Sequence, residues 1–168
     1  LRQDPYALET AYLSVIEFNN KATQIVPLID LMSFQMPDLK AQGVTSLGGA
    51  LTLLSDKISE EVKTTTLEEK GDWRPLVFIF SDGSATDDLQ KGVESLKKVK
   101  TSIVVACAAG QHAQESELQK ITESVVKLDN ADASTIAAFF QWVSASISTN
   151  SQKIETGESE VSKLSELP

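Results

Sequence analysis

Two short runs constrain this chain most. Leu76-Val77-Phe78-Ile79-Phe80 and Ile103 to Ala108 are continuously apolar. A strand with one face in water alternates polar and apolar residues, whereas a strand covered on both faces does not need to. No apolar run approaches the ~20 residues of a membrane span. Both runs therefore read as central strands with a packed layer on each side, within Trp73 to Ser81 and Ser102 to Ala108.

The segments around them alternate in period. Ser46 to Lys63 places Leu47, Leu51, Leu54, Ile58 and Val62 on one helical stripe, and Ala85 to Lys100 does the same with Leu89, Val93, Leu96 and Val99. Glu115 to Thr122 reads as a short helix, Val125 to Leu128 as a last strand, and Asp132 to Thr149 as an amphipathic helix. Near the start, Thr10 to Phe18 and Ala22 to Leu28 form a hairpin across Asn19-Asn20, residues that tolerate a left-handed backbone. Pro27 marks the end of an edge strand, because proline cannot donate to a ladder. Ile29 to Val44 reads as a long loop with one helical turn. The pattern predicts a three-layer α/β fold over residues 1–149. Its sheet is mostly parallel with one antiparallel edge strand, and its helices cover both faces. After Asn150 the chain becomes an acidic polar tail or linker.

Charge narrows the partners. Lys plus Arg is 15 against 24 Asp plus Glu, a net charge of −9. Nucleic acid and anionic membrane surfaces attract the opposite balance. A single cysteine, Cys107, excludes an internal disulfide, and with the single His112 it excludes a zinc cluster. Cys107 falls in an apolar strand and reads as a small buried hydrophobe; His112 reads as solvent-exposed. The chain starts at Leu1, with no initiator methionine and no signal-peptide pattern, which suggests a fragment and a cytoplasmic setting.

Chemistry concentrates at strand and helix ends. Asp82 follows a buried strand and precedes Gly83, so its carboxylate stands on a rim at the carboxyl end of the sheet, where open α/β folds bind ligands. Carboxylate and hydroxyl oxygens suit a hard cation such as magnesium. Ser81-Asp82-Gly83-Ser84 is equally readable as turn chemistry leading into a helix cap. Thr45, after Gly43-Val44, sits at a helix start, where its hydroxyl would cap an orphan amide. Asp87 and Asp88 fall in the first turn of the following helix, where the dipole favours anions.

Taken together, these residues resemble a von Willebrand factor A (vWA) domain. In that family a magnesium ion sits in a metal-ion-dependent adhesion site (MIDAS) made by three loops. They carry Asp-x-Ser-x-Ser after the first strand, a threonine before a helix, and an aspartate after a buried strand. Gly43-Val44-Thr45 matches the second loop and Ser81-Asp82-Gly83 the third. The resemblance implies Thr45 and Asp82 as metal ligands, with Gly43, Ser81, Gly83 and Ser84 shaping the rim. Residues 1–10, 71–78 and 139–148 are similar to bacterial TerY-like proteins of tellurium-resistance and stress clusters. Those relatives are non-enzymatic scaffolds, often encoded beside a protein kinase and a PP2C-type phosphatase.

Two departures carry consequences. Asp-x-Ser-x-Ser does not occur in this chain, and Leu1 to Asp4 resembles the end of the family's first helix. The resemblance thus implies that the first strand is absent, leaving two protein oxygens for the ion and weak binding. It also implies two open backbone edges inside the sheet, to be closed by an upstream segment, by a strand from another chain, or by a different sheet arrangement. Ser84-Ala85-Thr86 stands where relatives have Glu-Pro-Thr, which alters the rim that a partner reads. The leading expectation is a non-catalytic protein-binding module in which a partner's carboxylate completes the metal shell. The alternative is a magnesium-dependent phosphatase or phosphoryl-transfer enzyme using Asp82. Against that stand the missing Asp-x-Asp pair and the lack of a lysine at a later strand end.

Overall fold

The computed structural model describes residues 5–39 and 44–128, and beyond them Ser134, Ala138, Gln141, Trp142 and Ala145, all five helical. The predicted tail, most of the predicted helix 132–149, and Gly43 lie outside the described residues. Helix α1 (Pro5–Thr10) leads into an antiparallel hairpin of β1 (Tyr12–Phe18) and β2 (Ala22–Asp30). Helix α2 (Leu47–Glu61) follows, then β3 (Leu76–Ser81), α3 (Leu89–Leu96), β4 (Ile103–Ala109), α4 (Glu115–Leu118) and β5 (Val125–Leu128). Strands β3, β4 and β5 form a parallel sheet in that order. The parallel sheet and the hairpin are therefore the predicted α/β components. The predicted single sheet is divided in two: among the described residues no ladder joins hairpin to parallel sheet, and β3 is an edge strand.

The apolar runs at 76–80 and 103–108 behave as their composition requires. Val77, Ile79, Ala106 and Ala108 pack with Leu47 and Leu51 of α2 and Leu89, Val93 and Leu96 of α3. On the opposite face Phe78, Phe80, Val105 and Cys107 pack with Val126, Leu128 and Trp142. Alternate residues thus serve two cores, which is why neither run alternates in polarity. Phe18 of β1 joins the first core, and Glu61 at the end of α2 accepts from Gln24 and from the Leu28 amide (2.9 Å) in β2. Helix α2 is therefore the element that holds hairpin and sheet in one domain.

Several boundaries differ from the sequence reading. The predicted strand start at Thr10 is the last residue of α1. Strand β2 passes through Pro27 and runs to Asp30, because register shifts opposite Leu13–Val15 take Leu28 out of the ladder and Glu61 receives its N–H. The hairpin turn uses no left-handed residue; no described non-glycine residue has positive φ. Trp73 is not in β3 but in the loop before it, 64% exposed beneath Lys70 (5.3 Å from the ring centre). The loop after β2 does open with one helical turn, Phe34 N–H donating to Asp30 C=O at 3.0 Å.

The α2–α3 crossing depends on two glycines. A Cβ on Gly48 would lie 2.2 Å from the Asp88 carbonyl oxygen, and one on Gly92 would lie 2.5 Å from that of Gly48. The helices meet backbone to backbone, and this brings the start of α2 against the loop after β3.

Candidate functional site

The carboxyl end of β3 is a tight turn built from its own side chains. Ser81, 7% exposed, accepts from the Gly83 N–H through its hydroxyl (3.1 Å). Gly83 is buried with φ +77°, and its missing Cβ would meet the Gln114 carbonyl at 2.4 Å. Only glycine combines that backbone with that space. Ser84 N–H then donates to Asp82 Oδ1 (2.9 Å), an Asx turn, while the Asp82 C=O accepts from Gln114 N–H (2.7 Å). These contacts hold the Asp82 backbone on both sides and leave its carboxylate exposed, with Oδ2 outside the turn.

Thr45 is joined to this turn through its backbone. Thr45 and Ala85 form a parallel bridge, and the Thr45 C=O accepts from both Thr86 N–H (3.0 Å) and Thr86 Oγ1 (3.2 Å). The hairpin turn supports the same loop: Ser46 N–H donates to Asn19 C=O (3.0 Å) and Val44 N–H to Asn20 Oδ1 (3.2 Å). So the fold brings the Thr45 and Asp82 loops together across 37 residues of sequence, the difference of their numbers. The expected capping role of Thr45 is not what the fold uses. Ser46 occupies the cap position and makes no side-chain cap bond. The amides of Gly48 and Gly49 are taken instead by Asp87 (2.9 and 2.7 Å).

Ser81 and Gly83 are buried and support the turn from beneath, as residues behind the rim. One other expectation needs correction. Asp87 and Asp88 precede α3 rather than lying in its first turn; Asp88 is its cap, accepting from Lys91 N–H at 3.0 Å. Ser84 is half-buried in the Asp82 turn. Asn19, Asn20 and Gln114 support the rim, a role that sequence does not reveal even for the Asn19-Asn20 turn. They act mostly through backbone groups, which leave no compositional trace. Asp87 had a visible signal, a helix-start carboxylate, but its partners lie in another helix.

The donor set is of the right chemical kind for a hard cation, since Asp82 and Thr45 offer oxygens only. It is also sparse: among the described residues no three His, Cys, Asp or Glu side chains cluster in a way that would hold a metal. A cleft of about 400 Å³ lies beside the rim, lined by Gly48, Gly49, Thr52, Asp56, Asp87 and Lys91, and includes neither Thr45 nor Asp82. Cys107 is fully buried, and desolvation pushes its thiol up to about 11. Because thiolate is the reactive form, native protein at pH 8.5 should resist alkylation, whereas urea-unfolded protein should react within minutes. Mass spectrometry of iodoacetamide-treated samples checks this; fast labelling of the native chain would contradict the burial. His112 is exposed, as expected.

A parallel sheet packed against helices, with an exposed aspartate at a strand end and the residues after it bridged to a threonine loop, defines an α/β domain. The sequence profile of the von Willebrand factor type A domain matches residues 5–141, and the chain belongs to this family. Among solved structures it is similar to proximal thread matrix protein 1 (PTMP1) from the mussel byssus. The TM-score is 0.54 at 16% identity, over 75% of this chain and 35% of that one, a likeness of fold. The chain thus spans well under two-thirds of that protein's length. No curated protein matches the sequence. No helix among the described residues is long and apolar enough to cross a membrane.

Proposed function

We propose that this domain is a non-catalytic protein-binding module of the adhesion-site type, and that Thr45 and Asp82 hold a divalent cation, magnesium first among them. The observation that carries this reading is the clamp that ties the Thr45 backbone to Ala85 and Thr86, in the same loop as the exposed Asp82 carboxylate. When bound, the ion supplies an open coordination position for a carboxylate of a partner protein. The chain's residues do the rest: Ser84 N–H orients Asp82 through Oδ1, and Ala85 and Thr86 fix the height of Thr45.

Two oxygens are too few for a tight site. In this reading the remaining ligands come from a strand laid parallel along β3, supplied by the same chain or by another. The edge of β3 that no described strand occupies supports this, since a strand paired there would end on the same rim. Segments 1–10, 71–78 and 139–148 favour a cytoplasmic scaffold of a bacterial tellurium-resistance or stress system, with a kinase or PP2C-type phosphatase as partner.

The test is binding of such a kinase or phosphatase to the domain in magnesium or in EDTA. Binding should need the metal and fall at least about 10-fold in Asp82→Ala. Equal binding in EDTA, untouched by the substitution, would sink the proposal. Phosphate-ester turnover abolished by Asp82→Asn would replace it with an enzyme.

A further inference from the structure

The start of α2 has an unusual supplier of its caps. Its own cap residue, Ser46, contributes no side-chain bond. Gly48 N–H donates to Asp87 Oδ1 (2.9 Å) and Gly49 N–H to Asp87 Oδ2 (2.7 Å), one amide to each carboxylate oxygen. Asp87 belongs to the loop that carries Asp82. The residues just before it bind the same segment, Ala85 by the bridge to Thr45 and Thr86 by two bonds to the Thr45 carbonyl. Residues 85–87 therefore run along residues 45–49 as one seam. The carboxylate is its last fastening and the only one made by a charged group.

The Asp87 side chain does not cap its own helix. Asp88 caps α3 through Lys91 N–H, and the Asp88 backbone lies against Gly48. Nor would a neutral side chain replace it fully. Each amide here meets its own oxygen of a charged carboxylate, an arrangement that a carboxamide, with one oxygen and no charge, does not reproduce.

We infer that Asp87 is a positioning residue for the cation site: by fastening the first turn of α2 to the Asp82 loop, it sets Thr45 against Asp82. The inference rests on the metal reading given above and adds the residue that makes the two-loop site rigid. Partners that orient metal ligands without touching the ion typically govern affinity by 10–100-fold.

Asp88→Ala is the matched control, because it removes one neighbouring negative charge and one helix cap, but no bond to α2. The experiment is a magnesium titration followed by the Thr45 amide resonance, with melting curves in EDTA, for wild type, Asp87→Ala, Asp87→Asn and Asp88→Ala. Both alanine variants should melt roughly 3 °C lower. Only Asp87→Ala should weaken magnesium, by about 10-fold or more, with Asp87→Asn between it and wild type. Equal magnesium affinity in Asp87→Ala and Asp88→Ala, with wild type binding normally, overturns this inference alone. If Asp87→Ala does not fold, Asp87→Asn binding as tightly as wild type overturns it. Absence of saturable magnesium binding in wild type overturns the metal reading and this inference with it.

Discussion

Gly48→Ala should destabilise the domain by about 3 kcal/mol, although alanine is the better helix former by about 1 kcal/mol. The new Cβ would sit 2.2 Å from the Asp88 carbonyl oxygen, 2.6 Å from its carbon and 3.0 Å from the Leu89 nitrogen. All three are backbone atoms of the segment entering α3, so no rotamer change relieves the contact. Helix α3 would have to move, and with it Leu89, Val93 and Leu96, which are between 3% and 6% exposed in the larger core. Overpacking of this kind commonly costs 1–3 kcal/mol, and backbone-to-backbone contact belongs at the upper end. Gly49→Ala is the contrast. Its Cβ would meet an Asp87 carboxylate oxygen at 3.3 Å and the Ala22 and Ser46 Cβ atoms at 3.9 Å, contacts that a shift of a few tenths of an ångström relieves with the Asp87 bonds intact, so its effect should stay below about 1 kcal/mol. Urea unfolding of the two variants checks the difference. Similar midpoints would show that the helices adjust freely, contrary to the packing.

Gly83→Ala should cost a comparable amount, about 3 kcal/mol, and should also damage the rim. Positive φ at a residue with a Cβ costs of order 1 kcal/mol or more, and at φ +77° the added carbon would also press on the Gln114 carbonyl from 2.4 Å. Relief requires the turn to open. Opening it separates the Gln114 N–H from the Asp82 C=O and the Ser84 N–H from Asp82 Oδ1, the two bonds that aim the carboxylate. Gly83→Ala should therefore lower both the urea midpoint and magnesium affinity, the latter by at least about 10-fold. Gly48→Ala should show its larger effect on stability. A Gly83→Ala protein that binds magnesium like wild type would mean that Asp82 is not the ligand.

These substitutions mark the boundary between what patterning carries and what packing adds. The two apolar runs already required a sheet covered on both faces, because burying β3 and β4 twice over needs apolar residues at every position. The stripe of α2 was readable for the same reason: Leu47, Leu51 and Ile58 recur at helical spacing and are buried. Asp82 was readable because a strand must end in a turn, and Ser-Asp-Gly is turn chemistry in sequence as in space. Boundaries were less so. Trp73 has strand propensity but lies in an exposed loop, and Pro27 is a strand breaker that a register shift accommodates.

The rim itself depends on contacts that one-dimensional spacing does not encode. Thr45 is a good cap by type, yet Asp87 takes the amides of α2 while backbone bonds hold Thr45 to Ala85 and Thr86. Gly48 looks like a weak point in a helix until Asp88 and Gly92 are seen against it. Composition and period were sufficient for which residues are buried and which turns are tight, since hydrophobic burial and φ preferences act locally. Which carboxylate serves which amide, and which oxygens share a rim, followed from the approach of α2 to the β3–α3 loop. That approach is set by close packing of two backbones far apart in the chain.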